Sequence, residues 1–131
     1  MAQQRVEELA TVVVNAGYHL HRDVGPGLLE LVYHAILFDR LLDAGLQVES
    51  ERSVDIQIDG KTYANAFKAD LIVENLLLIE LKSVERMAPV HVKQTLTYIR
   101  VLNLPLGLLI NVGAARYREG IKRIMNDHAP Q

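Results

Sequence analysis

Two acids and a lysine mark the middle of this chain: Asp70, then Glu80-Leu81-Lys82. They lie inside two strongly apolar runs, Ala69-Asp70-Leu71-Ile72-Val73 and Leu76-Leu77-Leu78-Ile79-Glu80-Leu81-Lys82. Charge in such runs is costly to bury unless it is paired or binds a metal. Strand side chains alternate faces, so Glu80 and Lys82 point the same way. Between the runs stand Glu74 and Asn75, and Asn tolerates the positive φ of a turn. An antiparallel hairpin with Val73 opposite Leu77 sets Ile72 against Leu78 and Asp70 against Glu80. Side chains so placed are roughly 4.5–5.5 Å apart at Cβ. A two-residue loop would send Asp70 to the other face, so a loop of three or five residues is expected, unless a bulge corrects the phase. Facing carboxylates repel, and a divalent cation between them reverses the sign. Lys82 alone would neutralise part of the charge. Strand geometry admits both a metal site and a metal-free acid–acid–lysine network.

The remaining elements must hold this hairpin in place. Val6, Leu9, Val13, Ala16 and Leu20 recur at helical spacing between about Arg5 and Arg22. Val24-Gly25-Pro26-Gly27 breaks that helix. A second helix is expected from about Leu28 to Ala44, with Leu31, Ala35, Phe38 and Leu42 on one stripe and Gly45 ending it. Val54 to Ile58 alternates as a half-buried strand, and Asp59-Gly60 is a hairpin turn signal. Lys61 to Asp70 returns and continues toward Val73. Leu76 to Lys82 reads as a central strand. Pro89 suits the first turn of a third helix, to Leu102. Leu106 to Asn111 is a buried strand, set parallel to Leu76–Lys82 by a right-handed crossover. Ala115 to Asn126 reads as a last helix, with Tyr117, Ile121, Ile124 and Met125 inward. The order α-α-β-β-β-α-β-α implies an α/β sandwich around a mixed sheet.

Composition sets the outer bounds. The chain has 131 residues, 50% of them hydrophobic, which suits one compact domain over residues 1–131. No apolar run reaches the length of a membrane span, and the first residues lack a signal-peptide pattern. The chain has no cysteine, so thiolate metal sites are excluded and a cytoplasmic location is the expectation. A net charge of −2 argues against a strongly basic nucleic-acid coat. It leaves room for a local basic surface from Lys93, Arg100, Arg116, Arg118, Lys122 and Arg123.

With these elements in order, the chain resembles the PD-(D/E)xK nuclease-like superfamily, whose restriction-endonuclease-like core carries an Asp on its second strand and Glu-x-Lys on its third. More narrowly, Gly27-Leu28-Leu29-Glu30-Leu31-Val32-Tyr33 resembles the signature of the GxxExxY protein family. Supporting matches are Gly25-Pro26-Gly27-Leu28-Leu29-Glu30, Lys68 to Val73, Ile79 to Lys82, Gln94 to Tyr98, and Gly107 to Asn111. A lone acid with Glu-x-Lys is common by chance, whereas the ordered set of five is specific. Ala69 stands where the superfamily name has Pro, and Lys68 where relatives often have Arg.

The resemblance implies a metal-dependent nuclease-type hydrolase acting on nucleic acid, with DNA expected first. Asp70 and Glu80 would be metal ligands with the Leu81 carbonyl, and Lys82 would stand beside the attacking water. Glu30 would be the added first-helix acid and Gln94 the third-helix group. Mg²⁺ is the implied ion, with Mn²⁺ admissible. It favours carboxylate oxygens and retained waters. Tyr33, Lys68, His91 and Tyr98 are expected to support the site or touch substrate. His91, Gln94 and Tyr98 share one helical stripe beside the apolar stripe Val92, Leu96 and Ile99. His19, His21, His34 and His128 read as non-ligands. No Walker-type loop or serine-nucleophile motif occurs. The alternative is a non-catalytic module retaining the fold to bind nucleic acid or protein. At this length a homodimer or partner protein would supply further recognition surface.

Overall fold

The computed structural model describes residues 2–127. Helices α1 (Ala2–Val24) and α2 (Glu30–Asp43) precede a hairpin of β1 (Val48–Ile58) and β2 (Lys61–Val73). Then come β3 (Leu77–Lys82), α3 (Pro89–Leu102), β4 (Leu106–Asn111), a 3-10 turn (Tyr117–Gly120) and β5 (Ile121–Met125). The five strands form one mixed sheet in the order β1-β2-β3-β4-β5. Neighbours are antiparallel except β3 and β4, which run parallel across the α3 crossover. This is the expected α/β class, with a restriction-endonuclease-like order of elements.

Turn chemistry sets the hairpins. Asp59 and Gly60 both have positive φ, 54° and 75°, as a two-residue primed turn requires. Glu74 and Asn75 also take positive φ, 54° and 55°, in the three-residue link from Val73 to Leu77. The Glu74 carboxylate accepts the Gln47 N–H at 2.7 Å, tying that link to the start of β1. The odd loop length gives the expected register: Val73 pairs with Leu77, Ile72 with Leu78 and Leu71 with Ile79.

Two apolar clusters sandwich the sheet. Leu71, Val73, Leu77, Ile79, Leu81, Leu108 and Ile110 pack against Val6, Leu9 and Val13 of α1 and Tyr33, Leu37 and Leu41 of α2. Ile72, Leu78 and Leu109 pack with Ile99 of α3 on the other side. Gly107 permits the close approach of α3: a Cβ there would lie 3.1 Å from the methyl carbons of both Thr95 and Ile99.

Two sequence expectations are corrected. The expected helix from Ala115 to Asn126 is a 3-10 turn followed by β5. Ile121 and Ile124 serve opposite faces of the sheet, which a strand permits. Pairing along β4 from Ile110↔Ile121 to Leu106↔Met125 satisfies an edge left open by a helix. Tyr117, which lengthened the helical pattern, instead reaches α1 and donates to the Val14 carbonyl at 2.9 Å.

The second correction concerns α2. It buries Tyr33, His34, Leu37 and Leu41 rather than the stripe of Leu31, Ala35, Phe38 and Leu42. Leu31 stays 67% exposed and Leu42 42%. The helix carries two apolar stripes, and the Tyr33 hydroxyl selects the roll. It donates to the Gly25 carbonyl at 2.5 Å and accepts the Leu28 N–H at 3.0 Å, anchoring the helix by the other face.

Candidate active site

The β2–β3 ladder ends at Leu71↔Ile79, one step short of the expected Asp70–Glu80 rung. The two acids complete that step with their side chains. The Asp70 N–H donates to Glu80 Oε2 and the Leu81 N–H donates to Asp70 Oδ2, each at 2.8 Å. The β1–β2 ladder also skips this level: Ser50↔Leu71 and Arg52↔Ala69 pair on either side. Between them, opposite Asp70, Glu51 adopts a left-handed φ of 51°. Ala69 belongs to the α3-side cluster and Leu71 to the α1/α2-side cluster, so regular alternation breaks at Asp70. Asp70 therefore sits where the sheet opens toward both neighbouring strands.

The electrostatics follow from this enclosure. Glu80 is only 5% exposed. Burial, and then the Asp70 charge, push its carboxyl up to about 8, against the Asp70 N–H and the Lys82 ammonium. Burial also raises Asp70. The Leu81 N–H, His34 and Lys82 oppose that rise, and the Glu30 charge adds to it. The half-buried Lys82 thus favours the charged form of both acids.

Glu30 opens α2, and its Oε1 accepts the Ser83 N–H at 3.2 Å, just beyond Lys82. Ser83 Oγ donates to the Leu28 carbonyl at 3.3 Å. Tyr33 clamps Gly25 and Leu28, so its role is to fix the turn that presents Glu30. Tyr98 comes from α3, and the charges of Glu80 and Asp70 add to the burial that raises its phenol. Its ring stacks on Phe67 of β2, with centroids 3.9 Å apart and planes 4° from parallel. Gln94 is exposed one helical turn before Tyr98. His91 Nδ1 accepts the Ala88 N–H at 3.2 Å, so that nitrogen caps α3. Lys68 is exposed on β2, paired with Ser53, two residues before Asp70.

Three contributors escaped the sequence reading. His34, read as partnerless, is buried. Its Nε2 lies 3.2 Å from Ser50 Oγ and its Nδ1 3.7 Å from Glu51 Oε1. It stands four residues after Glu30, on the same helical face, and that spacing was the available signal. Glu51, on a polar stretch, carried no signal of its left-handed backbone. Asn111 ends the apolar run of β4, and a polar residue there was visible. Its Oδ1 accepts the Val84 and Gly113 N–H groups, each at 3.0 Å, and its Nδ2 donates to the Val84 carbonyl at 2.9 Å. This holds the loop that follows Lys82. Among the other histidines, His21 Nε2 lies 2.7 Å from the Ala114 carbonyl. His128 lies outside the described residues.

Among the described residues, no group of three or more His, Asp or Glu side chains converges as a ready metal cage. The donor set still fits a hard cation. Two adjacent carboxylates whose charges oppose each other, with the Leu81 carbonyl on the same strand, match the one or two protein carboxylates that Mg²⁺ takes with water.

The mixed sheet, with Asp70 on β2 and Glu80-Leu81-Lys82 on β3, follows the order of elements that the resemblance implies. Residues 7–124 match the family model of the PD-(D/E)XK nuclease superfamily, and the chain belongs to that superfamily. Among solved structures, the fold is similar to that titled "Crystal structure of SSO0001", with a TM-score of 0.57 and 22% identity. The match covers 74% of this chain and 50% of that one, so the chain spans about half that protein's length. No curated protein matches. No described helix is long and apolar enough to cross a membrane.

Proposed function

We propose that this chain is a Mg²⁺-dependent nuclease that hydrolyses phosphodiester bonds in nucleic acid. The reciprocal hold between Asp70 and Glu80, with Lys82 acting on both, carries this reading. Asp70, Glu80 and the Leu81 carbonyl would hold the ion, and Mn²⁺ would suit the same oxygens. When bound, the ion supplies Lewis acidity and a water of lowered pKa. Lys82 places positive charge where anionic charge develops on the phosphoryl oxygens. Glu30, fixed by Ser83, offers a third carboxylate toward water. Gln94 presents an amide to water or phosphate, Tyr98 bounds the site from α3, and Lys68 supplies charge for the backbone. His91 supports the helix that carries Gln94.

The Gly27-to-Tyr33 signature supports placement with the GxxExxY proteins, since Glu30 and Tyr33 meet at one turn. DNA is the substrate proposed first. A chain with a net charge of −2 would recruit a second copy or a partner for further phosphate contacts.

A non-catalytic binding module is the second reading. It is favoured by one observation: one oxygen of each acid already accepts a backbone N–H. Calorimetric titration with Mg²⁺ and Mn²⁺, beside cleavage of single- and double-stranded DNA and RNA, separates the two. Asp70→Asn, which keeps an acceptor for Leu81, is expected to lose the metal, and Lys82→Ala to keep it without cleaving. Metal binding with no cleavage by the unaltered protein selects the binding module. Absence of metal binding refutes the site, and undiminished cleavage by Lys82→Ala refutes the assigned role of the lysine.

A further inference from the structure

We propose that the cavity between α2 and β1 is a nucleobase pocket, taking a base with an exocyclic amino group beside the Asp70–Glu80 site. The cavity measures about 240 Å³. Ligand pockets usually run to about 300–1,000 Å³, so this one suits a single planar group. One wall is Leu31, Ala35 and Phe38, the α2 stripe whose first member is 67% exposed. These residues stand at i, i+4 and i+7 and form a continuous apolar strip against which a ring can lie flat. The polar lining is His34 and Asp39 of α2 with Ser50 and Glu51 of β1.

The polar wall selects the ligand. It carries two carboxylates and no lysine or arginine among the described residues, so it repels phosphate. Carboxylates only accept when ionised, and they match the amino groups of cytosine, adenine or guanine. Uracil and thymine flank their one N3–H with two carbonyl oxygens, so against the same carboxylates they repel as well as donate. His34 is only 8% exposed, with Nε2 engaged by Ser50, so it holds the wall in place. The Glu51 side chain, 49% exposed, is accessible to the ligand.

Position links the pocket to chemistry. Glu51 stands opposite Asp70 at the skipped rung of β1–β2. Neighbouring strands are about 4.8 Å apart. A phosphate held at Asp70 would stand one strand away from Glu51, and an adjoining base that leaves the stack toward α2 would meet this cavity. The link to cleavage rests on the nuclease proposal, whereas base binding itself does not.

Free nucleosides test the pocket with neither metal nor scission. In a ¹H–¹⁵N NMR titration, cytidine and adenosine are expected to shift the Ala35, Ser50 and Glu51 amides. A Kd on the order of 1 mM suits a ligand of this size. Uridine and thymidine should shift these amides far less. Glu51→Gln offers both donor and acceptor, so it should weaken cytidine about tenfold and admit uridine. Ala35→Leu, at an exposed helical position, should fill the cavity and abolish both responses. No shift with any nucleoside, or equal shifts with cytidine and uridine, overturns the proposal. Nucleoside binding without metal-dependent cleavage would leave the pocket standing and remove the nuclease reading. Cleavage without nucleoside binding would do the reverse.

Discussion

Replacing Glu80 by Gln should stabilise the metal-free protein, and increasingly so as pH rises. Glu80 is buried beside Asp70, and its carboxyl is raised from 4.5 to about 8. The folded state therefore binds the proton more tightly than the unfolded chain. The stabilisation from this group is complete below about pH 4.5 and is lost as pH rises toward 8. At about 1.36 kcal/mol per pH unit, the full span is about 5 kcal/mol. Local relaxation and the charge shared with Asp70 reduce the expected effect to about 2 kcal/mol. The glutamine side chain keeps an oxygen for the Asp70 N–H, so geometry is preserved while charge is removed. Urea unfolding with a chelator present should give near-equal stabilities at about pH 5. At about pH 8.5 the Glu80→Gln protein should be the more stable by about 2 kcal/mol. Saturating Mg²⁺ should then stabilise the unaltered protein and leave the Glu80→Gln protein unmoved. A gap between the two proteins that stays constant with pH would refute the reasoning, because a titrating buried acid requires a slope.

Tyr33→Phe removes the hydroxyl shared by Gly25 and Leu28, which should cost about 1–3 kcal/mol by thermal unfolding. It should also loosen the turn before Glu30 and lower any metal-dependent cleavage beyond the loss of folded protein. Asn111→Ala strips three hydrogen bonds from the loop after Lys82 and should cost about 2–3 kcal/mol in urea. Fast amide exchange at Val84 and Gly113 is the specific sign. Gly107→Ala pushes a methyl toward Thr95 and Ile99 and should cost about 1–3 kcal/mol, visible as a lower urea midpoint with an unchanged slope.

Much of the fold was legible because local chemistry and global packing agreed. Asp59-Gly60, Glu74-Asn75 and Pro89 mark turns and a helix start whose backbone demands are local. They led to the observed register of Val73 on Leu77 and to α3 from Pro89 to Leu102. The misread parts depend on tertiary partners. Tyr117, Ile121, Ile124 and Met125 scan as a helix face until β4 is seen to need an antiparallel neighbour. Leu31, Ala35, Phe38 and Leu42 scan as the buried stripe until Tyr33 fixes the roll of α2. At the site, Asp70, Glu80 and Lys82 announced themselves as charges in apolar strands. His34 and Glu51 did not, since their meeting depends on β1 lying against α2 and on a left-handed residue with no sequence mark.

The acids at the open rung also work as parts of the backbone, and this changes how the chain can drift over generations. Asp70 and Glu80 each occupy a main-chain N–H that the ladder leaves to them. Loss of either to an apolar residue would strand a donor at the centre of the sheet, a defect felt in the fold before any reaction is measured. Under the proposed nuclease function, two independent selective pressures would guard the same pair of oxygens. Asparagine and glutamine are the exits that satisfy one pressure and release the other. A descendant that abandoned cation-dependent chemistry while keeping this architecture should carry amides at these two positions, and that substitution pattern is its recognisable scar.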